Sequence, residues 1–137
     1  MTENLYSSMM IAASGMKAQG YRLKVVAQNI ANASSTADRT GGDPYRRKVV
    51  TFANVLDREL NANLVEISKL KEDRSEFTLV YDPHHPAANE EGFVQMPNVN
   101  QLVEMMDMRE AQRSYEANLN MIEAAKSMMS RTIGLLR

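Results

Sequence analysis

The side chains in this 137-residue chain that have the right types for chemistry fall into four small groups. Asp82, His84 and His85, flanked by Pro83 and Pro86, carry the donor atoms of a metal site. Two adjacent imidazoles in an extended segment point in divergent directions, however, and zinc wants three or four converging ligands. A proline-stiffened turn accounts for the same residues. Glu90 with Glu91, and Glu72 with Asp73, pair carboxyl groups as a general acid and base would. Both pairs lie in polar stretches that promise no desolvation to shift a carboxyl pKa. The basic triplet Arg46, Arg47 and Lys48 is diluted by Asp38 and Asp43, so it reads as a solvated strand edge rather than a phosphate-binding surface. No Gly-flanked nucleophile elbow, phosphate-cradling loop or dinucleotide fingerprint occurs. With no cysteine, neither a disulfide nor a thiolate metal site can form. The expectation is a protein that is not an enzyme, with no cofactor, no metal and no nucleic-acid partner.

The elements that position these groups are dominated by the two ends of the chain. Met9, Met16, Leu23 and Ile30 recur every seven residues near the start, and Met108, Tyr115, Ile122, Met129 and Leu136 do so at the end. A seven-residue repeat keeps each stripe on one side of a helix, so two such helices can bury their seams along their whole length. The spacing predicts one helix over residues 4–33 and another from Asn98 to about Thr132, with Asn98 and Gln101 as a capping box. Gly15 and Gly20 each cost a helix about 1 kcal/mol relative to Ala. With Ala12, Ala13 and Ala27 they make a slim face suited to close approach by neighbouring helices. Alone, the first helix should be only partly formed.

Between the helices the composition changes. Residues 33–44 are rich in Ser, Thr, Asp and Gly and read as a flexible connector. A short strand is expected over Tyr45–Phe52, another over Phe77–Tyr81 closed by Asp82 and Pro83, and a third over Phe93–Met96. Residues 53–73 are ambiguous: Leu56, Leu60, Leu64, Ile67 and Leu70 fit a helix, and Leu64–Leu70 fits a strand equally well. The fold class is therefore mainly α, in three segments: an N-terminal axial helix (1–33), a connector with a small β unit (34–97) and a C-terminal axial helix (98–137). The two helices pair as an antiparallel coiled coil.

Eleven Met against three Phe and no Trp suit adaptable packing surfaces, although ordinary core filling uses Met too. The net charge of −1 points to no polyanionic partner. Asn4–Met16, an uncharged stretch near the start, lacks the apolar run of a secretory signal or a membrane span. That leaves cytosolic residence, or export by a route that reads something else, without direct membrane insertion. Leu102, Met105, Met106, Leu119, Met128 and Ile133 lie beside the C-terminal stripe and widen its apolar sector. Extra surface implies extra partners, and a patch meeting a different patch on the next copy builds helical filaments when the rotation fails to close. The alternative is a monomeric hairpin with a broad buried face.

At this point the residues become recognisable. Ala13-Ser14-Gly15-Met16-Lys17-Ala18-Gln19, Arg22-Leu23 and Ala27-Gln28-Asn29-Ile30-Ala31-Asn32-Ala33 resemble the N-terminal signature of bacterial flagellar rod, hook and related axial proteins. Pro44-Tyr45-Arg46-Arg47, Tyr81-Asp82-Pro83-His84-His85-Pro86, Gly92-Phe93-Val94 and Met96-Pro97-Asn98-Val99-Asn100 narrow the resemblance to the proximal rod proteins of the flagellar basal body. Glu104-Met105, Arg113-Ser114-Tyr115-Glu116-Ala117-Asn118 and Lys126-Ser127-Met128-Met129 are similar to that family's C-terminal helix. His84 stands where the family often has Gly, and Phe93 where Tyr is usual. The match spans nearly the whole chain and favours strand over helix for Leu64–Leu70.

The resemblance implies a structural subunit of a helically assembled drive shaft that carries motor torque across the periplasm. It also implies export through the flagellar type III gate as an unfolded or partly folded subunit. Implied partners are other copies of the chain, other rod proteins, and the rod base at the MS ring and export gate. A soluble coiled-coil adaptor or export chaperone is the reading from another class. On the structural-subunit reading, Met9, Met16, Leu23, Ile30, Met108, Tyr115, Ile122 and Met129 form the intramolecular seam. Gly15, Gly20, Asn29 and Asn32 are assigned to contacts between subunits.

Overall fold

The computed structural model describes residues 2–136. The elements run α1 (Thr2–Ala31), β1 (Lys48–Asp57), β2 (Ala62–Glu72), β3 (Thr78–Tyr81), β4 (Phe93–Met96) and α2 (Gln101–Leu135). A helix at each end and a small two-sheet β region between them agree with the expected class. Among the described residues no helix is long and apolar enough to cross a membrane.

The start of α2 differs from expectation, and the reason is a competition for one side chain. Asn100, not Asn98, caps the helix: its Oδ1 accepts the N–H groups of Leu102 (3.0 Å) and Val103 (3.3 Å). Asn98 is spent elsewhere, accepting the Arg47 N–H and donating to the carbonyls of Asp73 and Ser75. No capping box with Gln101 forms. Asn100→Ala is expected to cost about 1 kcal/mol, read as a lower melting temperature with faster amide exchange confined to the first turn of α2.

The central segment is strand, which overturns the helical option for residues 53–73. β1 is also longer than expected and runs on to Asp57. It turns into β2 because Asp57 Oδ1 accepts the N–H groups of Glu59 (2.9 Å) and Leu60 (3.2 Å). Asn61 closes the turn at φ 45°, a left-handed conformation that Asn tolerates better than most residues. A connection this short joins antiparallel neighbours. β3 and β4 pair antiparallel, with Tyr81 opposite Phe93. Their rings meet edge to face at 5.4 Å, a favoured aromatic geometry. Gly92, at φ 84°, is held under the Tyr81 ring, where a Cβ would come within 2.9 Å of Cε2.

The loop between α1 and β1 is irregular, in keeping with its composition. It is tied to the turn after β3: Thr40 Oγ1 donates to the carbonyl of Ala88 at 3.0 Å, and Thr36 Oγ1 meets His85 Nε2 at 3.2 Å.

Two compact units result, and neither follows chain order. One comprises residues up to Leu23, 51–69 and from Arg109 onward; the other comprises 24–50 and 70–108. In the first, Ala12, Ala18, Ala111 and Ala125 are the buried apolar side chains, and Ser14 Oγ accepts the Val65 N–H to fasten β2 to α1. In the second, Val25, Val26, Val94 and Pro97 are buried with two polar residues, Asn29 and Glu104.

Candidate functional site

Helix α2 carries the clearest heptad. Glu104, Ala111 and Ala125 are buried and Asn118 half-buried, all in one row at seven-residue steps. Met108, Tyr115, Ile122 and Met129 form the adjacent row and are half-buried throughout. Alternating steps of three and four between the rows make the a and d positions of a coiled-coil seam. The small row is the deeper one, because an alanine lets a neighbouring helix come close while the larger flanking side chains cover it.

In the first unit the contacts between the helices descend along α2 as they ascend α1. Gly15 lies against Asn118, where a Cβ would sit 2.8 Å from Nδ2 and 3.1 Å from Cγ; Gly20 lies near Tyr115. Arg22 pairs with Glu110 at 3.6 Å. The helix cost of Gly15 thus has a cause inside the chain, since no side chain fits there unless Asn118 moves.

In the second unit a polar network joins α1, β1, the end of β2 and α2 around two buried side chains. Asn29 Nδ2 donates to the Lys48 carbonyl (2.8 Å) and to Glu104 Oε2 (3.1 Å), while Oδ1 accepts from Lys48 N–H (3.0 Å) and Tyr45 OH (2.8 Å). One amide therefore pairs both backbone groups of Lys48, as a neighbouring strand would. Glu104 Oε1 accepts from Arg47 Nε, and Arg47 Nη1 reaches Asp73 Oδ2 at 3.5 Å. Arg46 donates to the carbonyls of Asp73 and Ser75 and lies 4.2 Å from the centre of the Phe77 ring. The basic triplet is not a solvated strand edge. Its two arginines are half-buried, and they satisfy carboxylates and carbonyls that would otherwise be costly to bury.

The electrostatics follow from these contacts. Burial alone would lower the Arg47 guanidinium, but its bonds and charge interactions with Glu104 and then Asp73 outweigh that and hold it above its ordinary value. The Ser75 N–H, against opposing desolvation and with help from the Ser75 hydroxyl and Arg47, holds the Asp73 carboxyl below the usual range. Tyr45 is raised above 10.0 by burial and by the negative charges of Glu104 and Glu72. A phenol whose folded pKa exceeds its unfolded one contributes stability that is complete below the unfolded value and is lost as pH rises through the folded one. Alkaline melts should therefore show Tyr45→Phe losing less stability than the parent chain above pH 10. Equal slopes would deny Tyr45 this role.

The predicted residues fall into three groups. All eight seam residues are half-buried. Of the four assigned to contacts between subunits, Asn29 is 1 % exposed with its amide fully committed inside the chain, and Gly15 faces the chain's own α2. Asn32 also bonds locally, donating to the Gln28 carbonyl and accepting from Ser35. Gly20 differs, because a Cβ there would meet only an ordinary contact at 3.9 Å. The six apolar residues flanking the C-terminal stripe are all exposed, from Leu119 at 38 % to Leu102 at 68 %.

His85 has a local use: its Nδ1 accepts the Ala87 N–H, which assigns the Nε2 proton to the contact with Thr36. Among the described residues no three His, Cys, Asp or Glu side chains are placed to hold a metal ion. Glu104 was missed as a core residue, although its in-phase position with Ala111, Asn118 and Ala125 was a readable signal.

Comparisons with known proteins agree with this architecture at both ends. Residues 9–37 match the family model for flagella basal body rod proteins, and residues 90–135 match that for the C-terminal part of flagellar basal body rod FlgEFG proteins. The flagellar basal-body rod protein FlgC of Agrobacterium fabrum is 52 % identical over 93 % of this chain and 91 % of its own length. The FlgC protein of Bacillus subtilis is 41 % identical over 93 % and 95 %, and that of Escherichia coli O6:H1 is 39 % identical over 91 % and 92 %. Likeness at this level over nearly the full length of each relative leaves one assignment: the chain belongs to the FlgC family of flagellar basal-body rod proteins and is a structural subunit of the rod.

Proposed function

We propose that α1 and α2 pair antiparallel as a coiled coil and that the apolar face left outside that pair recruits further copies and other rod proteins into a stiff axle. The carrying observation is the division of α2 into two kinds of apolar surface. Met108, Tyr115, Ile122 and Met129 are half-buried, whereas Leu102, Met106, Met128 and Ile133 are each more than half exposed. The descending order of helix contacts supports the antiparallel sense. Torque then passes through many packed side chains rather than through a binding or catalytic site, and the protein is not an enzyme. Partners at the rod base, the MS ring and the export gate, together with type III export of a partly folded chain, complete the reading.

Fractionation tests it. The protein is expected to co-purify with detergent-extracted basal bodies. Recovery only in the soluble fraction, as a coiled-coil adaptor or export chaperone would give, would overturn it.

A further inference from the structure

In the first unit the buried rows of both helices turn polar at nearly the same level. On α1, Gln19 stands one heptad after the buried Ala12. On α2, Asn118 stands one heptad after Ala111 and one before Ala125, both buried. Each alanine row is thus interrupted by an amide. Gln19 Oε1 is buried without a hydrogen-bond partner in the chain, the one such side-chain atom among the described residues. Turning the amide over brings no relief, because the exchange strands an N–H donor in place of the acceptor. Leaving a buried polar atom unpaired is costly, so nearly all find a partner in protein or in ordered water.

The neighbouring side chains identify that partner. Gly15 lies against Asn118 and Gly20 near Tyr115. Gln19, between them on α1, therefore stands beside Tyr115 and within about one turn of Ser114 and Asn118. Both of these are half-buried, and neither side chain has a hydrogen bond among the described residues. The Ser114 hydroxyl and the Asn118 amide can donate where Gln19 Oε1 can only accept, yet no direct bond closes between them. A single water spans such a gap, since a buried water typically makes about three hydrogen bonds to polar groups that lack other partners.

We propose that one water bridges Gln19 Oε1 to the Asn118 amide and the Ser114 hydroxyl, and that this wet layer is where the helix pair of the first unit opens. The inference rests on the paired-helix reading above. An apolar layer resists separation because parting it exposes its surface to water. Two amides that already share a water lose little on parting, because both regain full hydration. The layer at Asn29 is built differently: four direct bonds engage its amide, to Lys48 N–H and C=O, Tyr45 and Glu104. Residues 9–19 and 115–125 can therefore part as a local unit while that network stays closed.

Hydrogen exchange of the full chain, resolved peptide by peptide, tests this. Q19M and N118L are close to isosteric, and each leaves the opposite amide alone in the seam. Each should speed exchange over residues 9–19 and 115–125 about tenfold. The double variant Q19M/N118L removes the whole layer and should slow the same amides about tenfold below the parent chain. Residues 101–106 should keep the parent's rate throughout. Should a single variant unfold altogether, the parent and the double variant still decide. Substitutions whose effects simply add would overturn the bridge. A double variant that exchanges as fast as the parent would overturn the opening and leave the paired helices standing. Helices without protection in any of the four proteins would overturn the pairing, and this inference with it.

Discussion

Replacing Glu104 with Ala will lower the stability of the full chain by about 3 kcal/mol, the cost of breaking a buried ion pair from one side. In a circular-dichroism melt that amounts to a midpoint lower by on the order of 10 °C. The carboxylate is fully buried, and its removal leaves Arg47 with only the 3.5 Å contact to Asp73 and takes from the Asn29 amide one of its two acceptors, the other being the Lys48 carbonyl. Glu104→Gln tests the cause more sharply. Asn29 cannot flip to accommodate a new donor, because its Oδ1 already receives Lys48 N–H and Tyr45 OH. The glutamine NH2 would therefore face the Asn29 NH2, costing about 2 kcal/mol for an unsatisfied buried donor. If Glu104→Gln melts with the parent chain, the network does not hold the second unit together. A double variant, Glu104→Leu with Arg47→Met, should recover part of the loss, since removing both charges spares the burial of either alone.

The second large effect is expected at the seam. Met16→Asp puts a carboxylate among half-buried side chains on α1, one residue from the tight approach of Gly15 to Asn118. An ionised group there has no partner and loses hydration, a cost that exceeds what a marginal helix pair can absorb. Assembly into basal bodies and swimming should both be abolished. A Met16→Leu strain should swim, because volume and apolarity are kept. Normal motility of Met16→Asp would show that this stripe is not the seam.

How much of this was legible in the residues varied with the range of the forces involved. Both helices followed from their heptads, and β4 fell on Phe93–Met96 as its composition suggested. The deep row of α2 went unread because a search for large apolar side chains passes over Ala111 and Ala125, and a glutamate in the same phase looks like a solvated face. The choice between Asn98 and Asn100 as the cap was beyond local rules, since both residue types suit the position. It was decided by Asp73 and Ser75, more than twenty residues away, which claim the Asn98 amide. The leucines at 56, 60 and 64 imitate a helix only because a turn intervenes. Asp57 and Asn61, the residues that make that turn, were the available clue.

The pairing of Asn29 with both backbone groups of Lys48 also bears on where the chain can be lengthened. Residues 30–47 form a segment whose two ends are clamped together by one side chain, so its span is set at the clamp and not by its contour. Extra residues inserted near Gly41, where a Cβ would meet nothing within 4 Å, should bulge outward and leave β1 in place. A peptide tag spliced in at that point offers a handle on the assembled organelle that both helices should tolerate.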